Sequence, residues 1–140
     1  MDNIHKLSSG EFHIFSDVEG HPIDLCRTQP ALHQPVIVGS GTLCVGVVLF
    51  KAVAKNIYEI WADDRHIRSV DDHIYGSLDR MDPQRWVITP TRGNSEYTIE
   101  TLDRRAWSDP GGAPGCEHKL YLHSVWQPIG PQQTFTIQPA

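Results

Sequence analysis

Along the chain, apolar and polar residues alternate in short bursts, and helical spacing is weak. Val, Ile, Thr, Tyr and Trp recur in brief runs, and eleven glycines and ten prolines break them up, which is a strand signature. The alternation predicts twelve strands, over residues 11–16, 22–26, 35–38, 44–53, 57–61, 66–70, 73–78, 85–89, 96–101, 105–108, 119–123 and 134–138.

The runs also repeat. Phe12-His13-Ile14, Tyr58-Glu59-Ile60 and Tyr97-Thr98-Ile99 share an aromatic-x-Ile pattern, with starts 46 and 39 residues apart. Positions i and i+2 of a strand face one side, so each triplet sends two large apolar groups inward. Trp86-Val87-Ile88 and Phe135-Thr136-Ile137 form a second set, with Phe50 in Val48-Leu49-Phe50-Lys51 as a weaker member. Trp86 precedes Tyr97, and Phe50 precedes Tyr58, by gaps that suit hairpins turning at Gly93-Asn94 and at Asn56. Three units of four strands are the plan of a β-trefoil, a six-strand barrel with three hairpins. The expectation is therefore an all-β chain, one trefoil domain over residues 1–140, with twelve strands in three pseudo-repeats and a long loop after Ser108.

Composition narrows the function classes. The formal charge is −5 with no basic block, so no nucleic-acid footprint is indicated. The longest apolar run, residues 43–50, is too short to span a bilayer as a helix. The opening residues lack the apolar core of a secretory signal, which points to the cytosol. Cys26, Cys44 and Cys116 have neither close spacing nor an even count, so free thiols in a reducing compartment are expected ahead of the alternative, a single disulfide.

Eight histidines lack the tight-turn spacing of a zinc site, so scattered surface or half-buried positions and no metal are expected. No nucleophile elbow, phosphate loop or carboxylate pair stands out, so neither an enzyme nor a cofactor is expected. Gln84-Arg85-Trp86 and Gln133-Thr134-Phe135 spell Gln-x-aromatic, a mark of trefoil lectins. The pattern also fits a packing element whose amide bonds backbone. Carbohydrate binding is the alternative function.

The stretch 83–107, the ending Gln132-Gln133-Thr134-Phe135-Thr136-Ile137-Gln138-Pro139 and the opening Ser8-Ser9-Gly10-Glu11-Phe12-His13-Ile14 resemble the small trefoil serine-protease inhibitors of mushrooms, the cospin type. That resemblance implies a fungal, cytoplasmic defence protein that inhibits trypsin-like serine proteases as a monomer. It also implies a reactive loop between strands two and three, here residues 27–34, with Arg27 as primary specificity residue. Cys26, Thr28 and Gln29 would complete the protease contact. The residues themselves suit the part. A guanidinium offers a planar fork of donors to an acidic specificity pocket. Pro30 and Pro35 stiffen the chain, and Thr28 is β-branched.

Arg92 on a hairpin tip is the rival bait. Arg65 is expected to pair with its neighbours Asp63 and Asp64, and Arg104 with Arg105 to form a solvated turn.

Overall fold

A computed structural model describes residues 7–28, 31–40, 46–91 and 95–140. The twelve strands are β1 Gly10–Ser16, β2 Ile23–Leu25, β3 His33–Val38, β4 Val48–Ala54, β5 Ile57–Ala62 and β6 Arg65–Val70, then β7 His73–Ser77, β8 Trp86–Pro90, β9 Glu96–Glu100, β10 Arg105–Ser108, β11 Tyr121–Ser124 and β12 Phe135–Pro139. Each falls on one of the runs expected from alternation, with ends displaced by a few residues. The largest displacement is in β4, where part of the expected run lies outside the described residues. A 3-10 turn, Pro131–Gln133, precedes β12.

The pairing is threefold. Within each unit the first strand bonds the fourth: β1 with β4, β5 with β8, β9 to β12. Across each boundary the fourth bonds the next first: β4 with β5, β8 with β9, β12 with β1. Those six strands close into a ring, which leaves none of them a free edge.

The seam pairs are Phe50↔Ile60, Ile88↔Ile99 and Ile137↔Ile14, one per boundary, and all six side chains are buried. These are the residues of the aromatic-x-Ile triplets and their partners, so the period-2 pattern places the core. Phe12 stacks on Phe50, which meets Tyr58 at a tilt, while Trp107 meets Trp86 and Phe135 edge to face.

The remaining strands form hairpins, β2–β3, β6–β7 and β10–β11, which cover one end of the ring. They also bond one another: β3 to β7, β7 to β11, and Ile37 to Lys119. Tight turns of left-handed residues lead into and close the second of these hairpins. Asp63-Asp64 joins β5 to β6 and Asp71-Asp72 joins β6 to β7, all four at positive φ. Aspartate tolerates that region because its short side chain bonds locally. Asn56, also at positive φ, turns β4 into β5 as expected. Gly93-Asn94 lies outside the described residues.

Two expectations are corrected. Cys26 and Cys116 form a disulfide across 90 residues of sequence, where free thiols were expected. The β2–β3 loop and the loop after β10 come from different units, and only the closed ring brings them together. Cys44 lies outside the described residues. Two histidines, His66 and His118, are also fully buried and paired with Asp79 and Asp109, unlike the surface or half-buried positions expected of all eight.

Candidate functional site

The loop leaving β2 begins with Cys26, Arg27 and Thr28 and returns through Ala31 and Leu32 into β3. Gln29 and Pro30 lie outside the described residues, as does the rival Arg92. Cys26 is buried, and its amide donates to the Pro35 carbonyl at 2.9 Å. Its sulfur is bonded to Cys116. The Thr28 hydroxyl rests against that disulfide, 3.3 Å from Cys26 Sγ and 3.9 Å from Cys116 Sγ. The chain is thus fixed one residue before Arg27.

Arg27 projects from this anchor with 41% of its side chain exposed. Its guanidinium is not free. Nε donates to Asp63 Oδ2 at 2.5 Å and Nη1 to Asp24 Oδ1 at 2.7 Å. The Asp63 hydrogen bond, against the opposing effect of partial burial and with help from Asp24, raises the Arg27 pKa further above its already high value. Asp24 is held in turn by the Leu25 amide. It also needs glycine at 46, where a Cβ would collide with the Asp24 carboxylate. Asp63 arrives from the left-handed β5–β6 turn.

Arg65 corrects the sequence expectation. Asp63 and Asp64 do not pair with it. Strand alternation sends Arg65 inward while the turn sends Asp63 outward to Arg27. Arg65 is 7% exposed, and Nη1 donates to the carbonyls of Ala31 at 2.7 Å, Leu32 at 3.0 Å and Gly76 at 3.3 Å. The Leu32 carbonyl also accepts from the Leu78 amide at 3.0 Å. Arg105 differs as well: it opens β10 and pairs with Asp72, while Arg104 turns at positive φ and pairs with Glu100.

The Gln-x-aromatic amides are committed to the fold, with Gln84 half-buried and Gln133 buried. Gln133 is fully buried. Its carbonyl oxygen accepts from the Trp126 amide, and its nitrogen donates to Ser108 Oγ and the Ser124 carbonyl. The Gln84 carbonyl oxygen accepts from the Ser69 amide and hydroxyl. Trp86 and Phe135 are buried and present no platform.

The loop after β10 is tied to the ring by Asp109, which accepts from Ser16 Oγ at 2.5 Å, the Gly111 amide at 2.8 Å and His118 Nε2 at 2.5 Å. This serine, aspartate and histidine are not a nucleophile set, because the aspartate stands between the other two. Among the described residues no group of three or more His, Cys, Asp or Glu is arranged to hold a metal. A cleft of about 620 Å³ lined by Asp17, Glu100 and Arg104 shares no residue with the Arg27 loop.

Neither a protein-family model nor a curated protein sequence matches the chain. Solved structures do. The chain is similar to a proteinase inhibitor from Coprinopsis cinerea, with a TM-score of 0.79 and 13% identity over 96% of this chain and 100% of that one. It is also similar to ThreeFoil, a designed 3-fold symmetric protein, with a TM-score of 0.75 and 14% identity over 94% and 99%. A lectin from Polyporus squamosus gives a TM-score of 0.69 and 15% identity over 96% of this chain and 50% of the lectin. At such identities the likeness is one of architecture, and with the threefold strand pairing it shows the fold: this chain is a β-trefoil.

Proposed function

We propose that this protein inhibits trypsin-like serine proteases by inserting Arg27, with Thr28 and Gln29 following the bond under attack and Cys26 preceding it. The observation that carries the reading is the disulfide one residue before Arg27, on a loop whose backbone is bonded into the cap. An inhibitor must offer a loop that is already ordered, so that little entropy is lost on docking. The likeness to a proteinase inhibitor supports the same reading at the level of architecture.

The Asp24 and Asp63 pairs work against insertion, and their magnitude decides how much. Both involve partly exposed groups, and exposed ion pairs contribute about 0.2–1 kcal/mol each. In a protease pocket the guanidinium exchanges these partners for a desolvated carboxylate, and a charge-assisted hydrogen bond to such a group is worth roughly 1.5–3 kcal/mol. The exchange favours docking, so the acids restrain the arginine without removing it from use. Docking would cover about 1,600 Å² of combined surface, the ordinary size for such complexes.

The sugar-binding alternative drew on Gln84 and Gln133, and the Gln133 amide is wholly consumed inside the fold while the Gln84 carbonyl is committed to Ser69. Active-site titration of trypsin with the purified protein tests the proposal. Stoichiometric loss of activity is expected. Full trypsin activity at tenfold excess of this protein, with retention on a glycan array competed by free sugar, overturns it in favour of a lectin.

A further inference from the structure

We infer that the buried Arg65 is the positioning residue that keeps the cut loop ready to re-form, holding its far side as the disulfide holds its near side. This rests on the inhibitor reading above. The observation is an unusual use of charge. A guanidinium taken out of water normally meets a carboxylate, because desolvating a cation is expensive. Arg65 is 7% exposed, yet every acceptor it has among the described residues is a backbone carbonyl, and two belong to the loop, Ala31 and Leu32. The third, Gly76, lies on the neighbouring strand β7.

The surroundings are shaped for this arrangement. A Cβ at Gly76 would lie 2.8 Å from Leu25 Cδ2 and 3.3 Å from Arg65 Cβ, so glycine there leaves room for both side chains. Leu78 adds a second donor to the Leu32 carbonyl. A barrel needing only to fill this volume would use an apolar side chain at no desolvation cost.

The chemistry explains why both sides must be held. When the protease serine attacks the Arg27 carbonyl, the Arg27–Thr28 bond breaks. Arg27 becomes esterified to the serine, and Thr28 leaves as a free amine. Attack of that amine on the ester restores the peptide bond and frees the serine, whereas water in its place yields a cut inhibitor. Only Thr28, Gln29 and Pro30 separate the new amine from the first carbonyl that Arg65 holds. Three residues reach on the order of 10 Å when extended, so the amine stays near the ester. Without Arg65 the strand end itself loosens, and water competes.

The test follows residual trypsin activity and loop cleavage together over a day at fixed inhibitor excess. Wild type is expected to inhibit persistently with most chains intact. Arg65→Met is expected to inhibit at the start and then lose inhibition about tenfold faster, the scale of one charge-assisted hydrogen bond, as chains cut between Arg27 and Thr28 accumulate. Arg65→Lys, which restores a buried donor cation, is expected to recover persistence. A role in fold stability alone would lower the melting temperature of Arg65→Met and leave the cleavage rate untouched. If Arg65→Met does not fold, Arg65→Gln replaces it. A folded variant as persistent as wild type overturns the inference while the inhibitor reading stands. A wild-type protein that never inhibits overturns both.

Discussion

Asp63, at the left-handed turn between β5 and β6, grips the guanidinium of Arg27 from 36 positions away in sequence. The contact joins the first unit of the trefoil to the second, and it sets the terms on which the arginine meets any partner. A clamp from one acid of the same loop would move with the loop. A clamp from another unit holds the side chain against the ring.

Arg27→Glu reverses the charge at the tip and places it beside Asp24 and Asp63. Inhibition of trypsin is expected to fall by at least about 100-fold, in line with losing a desolvated charge pair. Far-UV circular dichroism should stay unchanged. Undiminished inhibition by this variant would move the reactive position to another cation, with Arg92 next in line.

Asp63→Asn keeps the shape of the turn residue and removes its charge. Releasing an exposed pair worth about 0.2–1 kcal/mol should tighten inhibition by up to about fivefold. The gain should shrink as salt is added, since the pair it removes is already screened. Weaker inhibition from Asp63→Asn would mean that the acid orients the arginine for docking.

Reducing the Cys26–Cys116 bond, or replacing Cys26 with serine, opens a closed loop of 90 residues. Loop-closure entropy puts the loss near roughly 4–5 kcal/mol, read as a drop in the urea midpoint. Inhibition should become transient at protein concentrations where the fold still survives. An unchanged midpoint under reductant would show that these sulfurs are not bonded in solution.

Acid should weaken the fold through Asp79. Burial alone would raise its pKa, but bonds from the Met81 amide, Ser77, His66 and Arg68 outweigh burial and bring it to about 2. The folded value lies below the ordinary carboxylate value, so its contribution is complete above about pH 4 and disappears as the pH falls toward 2. Asp109 acts in the same direction: burial alone would raise its pKa, but the bonds from Ser16, Gly111 and His118 together outweigh burial and lower it. Asp79→Asn should be less stable than wild type near pH 6, with the gap closing by pH 2. A gap independent of pH would remove Asp79 from the account of acid sensitivity.

Much of the fold was legible because period-2 alternation is a local signal. Phe12 and Ile14, Tyr58 and Ile60, Tyr97 and Ile99 announce their inward faces within three residues. The site was legible only in part. Arg27 stands out as a cation in a proline-bounded loop, and Asp24 is near enough in sequence to suspect. Asp63 is not, since its approach depends on ring closure. Cys26 and Cys116 are equally remote, and connectivity cannot be read from spacing. Arg65 was misread by a rule that usually serves. Chain neighbours of opposite charge attract, but a tight turn between two strands points one outward and leaves the next facing in. Gln84 and Gln133 do bond backbone, as the packing reading of Gln-x-aromatic expects.

The ring bears consequences beyond this one loop. Three hairpins stand on it in equivalent places, and the first carries Arg27. The Asp71-Asp72 tip and the segment after Ser108 stand on the same platform, and the six strands beneath are indifferent to what each tip displays. On the inhibitor reading, a second arginine grafted onto the Asp71-Asp72 tip would therefore give a two-headed molecule able to engage two proteases at once, with the Arg27 loop undisturbed.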